Sequence, residues 1–87
     1  MNGKDGVRVT IRLFARLREI VGSGEVPREV PAGATAQTAW DLLAKDFPGI
    51  GEYRRTVSCA VNEEYARFTT ALNDGDEVAF LPPVSGG

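Results

Sequence analysis

With 87 residues, the chain has room for one domain and one modest core, which excludes a multidomain enzyme. A net charge of −2 argues against nucleic acid as a main partner, since phosphate binding needs a concentrated basic surface, and no apolar run is long enough to cross a bilayer. The absence of histidine and the presence of a single cysteine exclude an internal disulfide, a histidine-ligated metal, a multi-cysteine site and any Ser-His or Cys-His dyad within the chain.

The first element is a strand. Val7, Val9, Ile11 and Leu13 alternate with Arg8, Thr10, Arg12 and Phe14, giving one buried face and one polar face interrupted by Phe14. Residues 15–21 then switch to helical spacing at Leu17, Ile20 and Val21, and Gly22 stops the helix. Gly22-Ser23-Gly24 turns the chain into a second strand, residues 25–30, in which Pro27 demands an edge or a bulge. Thr35 suits the N-cap of the main helix, which runs to about Phe47 with Ala36, Ala39, Trp40, Leu43 and Phe47 as its apolar stripe.

Pro48-Gly49 ends that helix, and residues 50–55 read as a loop or a single turn. A third strand follows over residues 57–62, with Val57, Cys59 and Val61 on one face. Asn62-Glu63-Glu64 reverses the chain into a short fourth strand at 65–68. Asn73-Asp74-Gly75-Asp76 is a turn, and 77–81 is the last strand. The order β–α–β–α–β–β–β predicts an α+β roll, one sheet over one main helix.

Self-contained catalysis finds little support. Lys4 and Lys45 are the only lysines, and no glycine-rich loop leads into Lys-Ser/Thr, so the chain lacks a P-loop. Cys59 between valines reads as a small buried hydrophobe, and Asp74, Asp76 and Glu77 lack the rest of a calcium loop. The start, Met1-Asn2-Gly3-Lys4-Asp5-Gly6, lacks the apolar core of a signal peptide, so a cytoplasmic location is expected. Phe14, Tyr65 and Leu81 fall on outward strand faces by parity, and convergence of the three would make a contact patch.

The end of the chain is its most informative segment. Pro82-Pro83 fixes φ twice and stiffens the chain, whereas Gly86-Gly87 has no β-carbon and passes where other residues cannot. At ~3.3 Å per extended residue, the segment from Pro82 to Gly87 reaches roughly 20 Å. Small terminal residues are also what fraying ends and cloning remnants leave behind.

The run Asp74-Gly75-Asp76-Glu77-Val78-Ala79-Phe80-Leu81-Pro82-Pro83-Val84-Ser85-Gly86-Gly87 shifts that choice towards a functional tail. With Ala60-Val61-Asn62, Leu13-Phe14-Ala15 and Leu17-Arg18-Glu19, it resembles the small, sulfur-carrier subunit family of molybdopterin synthase over nearly the whole chain. The resemblance implies a β-grasp (ubiquitin-like) domain at 1–81, a mixed sheet of about five strands, and a flexible tail at 82–87. It implies that the Gly87 carboxylate, carried next to Gly86, becomes an acyl-adenylate and then a thiocarboxylate. The sulfur then passes to cyclic pyranopterin monophosphate in the large synthase subunit.

ATP would be used by an E1-like activating partner, and the pterin would be bound by the large subunit. The small chain itself would hold no metal or cofactor. The expected partners are the large subunit, in a heterotetramer of two small and two large chains, the activating enzyme, and a sulfur donor. By the same resemblance Phe14, Arg18, Tyr65 and Leu81 match contact positions, and Pro82, Pro83, Val84 and Ser85 would bind the partner as the tail threads into it. Tyr65 stands where the family has an aliphatic residue, and Ser85 replaces threonine. A sulfur carrier for thiamine or cysteine synthesis, a ubiquitin-like protein modifier, and a passive β-grasp module are the alternatives. Pro82-Pro83 favours the molybdenum cofactor over the first of these.

Overall fold

The computed structural model describes residues 6–83. Strand β1 (Gly6–Leu13) follows from the alternation of its side chains: on its polar face Arg8 is exposed and Thr10 and Arg12 are half-buried, while Val9, Ile11 and Leu13 are at most 1% exposed. Helix α1 (Ala15–Val21) ends where Gly22 adopts φ 89° and donates its N–H to the Arg18 carbonyl. Strand β2 (Glu25–Pro31) pairs antiparallel with β1 and forms one edge of the sheet, the position Pro27 requires.

Helix α2 (Ala36–Asp46) opens on a reciprocal cap: the Thr35 hydroxyl accepts from the Thr38 N–H, and the Thr38 hydroxyl accepts from the Thr35 N–H. Its buried stripe is Ala36, Ala39, Trp40 and Leu43. Phe47 caps the helix and is half-buried, and a 3₁₀ segment (Pro48–Tyr53) follows where a loop or turn is expected. Strands β3 (Ser58–Val61), β4 (Glu64–Ala66) and β5 (Glu77–Leu81) complete the sheet.

The strand order is β2-β1-β5-β3-β4. The last strand therefore lies in the centre, parallel to β1 and antiparallel to β3. This is the mixed five-strand β-grasp roll expected from the sequence. The turn before β5 is tied to β1: Asp74 Oδ1 accepts from the Arg8 N–H at 2.8 Å, and the Gly75 N–H donates to the Arg8 carbonyl at 2.8 Å. The core fills the space between sheet and α2. Trp40 meets Phe80 edge-on at 5.0 Å, and Phe68 stacks on Phe80 at 6.0 Å. Phe80, Ile11, Leu17, Leu43, Ile50 and Val78 are all fully buried. Each such side chain contributes about 1.5–3 kcal/mol by leaving water.

Three local expectations need correction. The fourth strand is Glu64–Ala66 and not 65–68, because the reversal takes two residues, so that Val61 pairs with Glu64. Val57 is buried but lies outside β3. Phe14 is not a strand residue: β1 stops at Leu13, and Phe14 is the extended N-cap of α1. Ala15 makes that break by adopting φ 51°, a left-handed conformation in which the strand cannot continue.

Candidate functional site

The outward face of the sheet carries an unusual row. Register places Arg12 opposite Glu25 on β2 and Ala79 on β5, Ala79 opposite Ala60 on β3, and Ala60 opposite Tyr65 on β4. The two central strands thus present alanine where their flanking neighbours present long side chains. A pleated face with small residues at its middle is necessarily hollow. The hollow is an open concavity of about 350 Å³, lined by Arg12, Phe14, Ala60, Glu63, Tyr65, Glu77, Ala79 and Leu81.

Phe14, Tyr65 and Leu81 are therefore brought together from three different elements. Tyr65 is 82% exposed and Phe14 37%, the two large hydrophobic residues most open to water among the described residues, and Leu81 is half-buried. Such convergence of apolar groups around a hollow is what a docking face offers a partner. Arg18 does not enter the concavity. It lies on the far side of Phe14, beside Leu13, Ser23 and Gly24. Pro82 and Pro83 continue directly from β5, so the chain leaves the sheet next to Leu81. Val84, Ser85, Gly86 and Gly87 lie outside the described residues.

The electrostatics centre on Arg12. It donates from Nη1 to Glu77 Oε2 at 2.8 Å, and its guanidinium lies 5.7 Å from the centre of the Phe14 ring. Arg12 is held above its ordinary pKa, first by the hydrogen bond and charge of Glu77, and in smaller measure by Glu25 and Glu63. Half-exposed pairs of this kind add little stability. The pair sets a cation beside the Phe14 ring at the wall of the concavity.

Sequence parity did not single out Arg12, Glu63, Glu77, Ala60 or Ala79 as site residues. Arg12 and Glu77 are separated by 65 positions and meet only through the β1–β5 register. The absence of β-branched or aromatic side chains at Ala60 and Ala79 was the available signal. Cys59 lies beneath this face, 1% exposed, with its thiol donating to the Ala66 carbonyl at 3.4 Å. Burial raises its pKa, which keeps it a neutral packing group. Among the described residues no cluster of His, Cys, Asp and Glu could hold a metal ion, and no helix is long and apolar enough to cross a membrane.

The chain is similar to the molybdopterin synthase sulfur carrier subunit of Arabidopsis thaliana, with 40% identity over 93% of this chain and 84% of the relative. Its structure superposes on that of SAMP1 from Haloferax volcanii with a TM-score of 0.79 and 33% identity, covering 92% of this chain and 99% of the other. A chain of the BexX/CysO complex of Amycolatopsis orientalis gives a TM-score of 0.70 at 28% identity, covering 91% and 99%. Residues 11–87 match the ThiS family as a whole, beginning inside β1 and running through the concavity to Gly87. The chain belongs to the ThiS family.

Proposed function

We propose that this protein is the sulfur carrier of a molybdopterin synthase and acts through the carboxylate of Gly87. The observation that carries the reading is the family match through Gly87, together with close relatives that bear this role. The concavity beside the root of the tail supports it, because a carrier needs a surface to dock and a slim tip to deliver.

A free carboxylate is a poor electrophile, since resonance spreads its charge over two oxygens. An E1-like partner attaches AMP from ATP to the Gly87 carboxylate and releases pyrophosphate. A sulfur donor then attacks the carbonyl carbon, AMP departs, and a thiocarboxylate remains. Phe14, Tyr65 and Leu81 seat on the large subunit while Pro82, Pro83, Val84, Ser85 and Gly86 pass into its active site. There the sulfur moves to cyclic pyranopterin monophosphate. The pterin and the acid–base groups belong to that subunit, in an assembly of two small and two large chains, located in the cytoplasm. This chain supplies no metal or cofactor of its own. Arg18, outside the concavity, serves as a flanking charged contact.

A second reading is favoured by the likeness to SAMP1, a small archaeal modifier protein. In it the same activated carbon is attacked by a lysine amine of a target protein.

Intact mass after incubation with the activating enzyme, ATP and a sulfur donor separates the two. The carrier gains about 16 Da as oxygen is exchanged for sulfur, and deletion of Gly87 removes the gain while leaving the thermal midpoint unchanged. Molybdopterin synthesis by the Gly87 deletion overturns the reading. Conjugates of higher mass, with no thiocarboxylate, establish the modifier instead.

A further inference from the structure

The β3–β4 hairpin closes through Asn62 and Glu63 alone, with φ of 52° and 72°. Two positive φ values in a two-residue loop mark a type I′ turn, which takes glycine most readily at its second centre. Asn62 tolerates the left-handed region. Glu63 is strained there by its β-carbon, in a way glycine would not be. The turn is nonetheless pinned against β5. The Asn62 N–H donates to the Glu77 carbonyl at 2.8 Å, the Glu77 N–H donates to Asn62 Oδ1 at 3.0 Å, and Asn62 Nδ2 donates to Asp76 Oδ1 at 3.0 Å.

That anchoring holds Glu63 at the wall of the concavity, beside Arg12, Tyr65 and Glu77. Arg12 is already matched by Glu77. The lining therefore carries one carboxylate in excess, and among the described residues Glu63 makes no ion pair or side-chain hydrogen bond. A charge at a position where folding alone favours glycine, on the rim of an apolar concavity, points to recognition.

We propose that Glu63 is a specificity-determining residue that reads a basic side chain, arginine or lysine, on the protein that docks in the concavity. The proposal rests on the docking reading given above and names the charge it discriminates. A partner presenting an apolar ridge with a cation at its edge fits this surface, and one presenting a carboxylate there is repelled.

The test measures affinity of the full chain for the large synthase subunit, at low and at high salt, alongside the thermal midpoint. Glu63→Gln keeps the backbone strain and removes the charge: binding weakens about fivefold at low salt, the difference fades at about 0.5 M salt, and the midpoint stays put. Glu63→Gly removes both, so binding weakens equally while the midpoint rises by about 4 °C. Glu63→Lys weakens binding further. Wild-type affinity in the Gln and Lys variants overturns the proposal and leaves the docking reading standing. Failure of the wild-type chain to bind the large subunit overturns both.

Discussion

The two faces of the sheet are built from the same five strands and could hardly differ more. The inner face carries Val9, Ile11, Leu13, Cys59, Val78 and Phe80, each at most 1% exposed. The outer face carries Arg12, Glu77, Ala79, Ala60 and Tyr65, and is hollow where the inner face is thickest. The difference teaches that volume, more than polarity, separates folding from function here. The side facing α2 is occupied by fully buried side chains, whereas the other side leaves an open concavity at its centre.

Substitutions can break or sharpen this contrast. The largest effect is expected from Phe80→Ala, which removes the ring gripped by Trp40 and Phe68. Chemical denaturation should show a loss of about 3–5 kcal/mol, a large share of the stability of so small a domain. Its immediate neighbour Ala79 points the opposite way and should behave in the opposite manner. Ala79→Leu fills the hollow, so affinity for the large subunit should fall at least about tenfold in titration calorimetry while stability moves by no more than about 0.5 kcal/mol. A large stability loss in Ala79→Leu, or undiminished binding, would show that the outer face is packing and not a contact surface.

The smallest effect concerns Cys59. Burial raises the folded-state pKa of its thiol, so the protonated form is preferred in the native protein. Stability from this source is intact below the ordinary thiol value of about 8.5 and is lost as pH rises through the folded value. The urea midpoint of the wild type should therefore decline more steeply above about pH 8.5 than that of Cys59→Ala. Parallel pH profiles would indicate that the thiolate is accommodated without penalty.

Much of this arrangement is legible in the sequence, for identifiable reasons. Strict alternation in residues 7–13, the Thr35 cap, the Gly22 stop and the Asn73-Asp74-Gly75-Asp76 turn are local signals, and local structure obeyed them. What was not legible depends on conformations that the residue type disfavours or on pairing across the chain. Nothing about an alanine announces φ 51°, so the escape of Phe14 from β1 was hidden. Nothing about a glutamate announces φ 72°, so the one-residue shift of β4 was hidden too. The hollow itself needs the register of four strands, and register between β1 and β5 is fixed by contacts far apart in sequence. The parity that grouped Phe14, Tyr65 and Leu81 was sufficient to suspect a patch but gave no position for Arg18.

Placing β5 between β1 and β3 has one further consequence. Without it the sheet falls into two separate antiparallel pairs, β1–β2 and β3–β4, neither of which has enough partners to persist alone in water. A polypeptide interrupted anywhere before Leu81 thus never assembles the hollow at all. The architecture inspects its own length: only a product extended through Leu81 pairs all five strands and acquires the concavity.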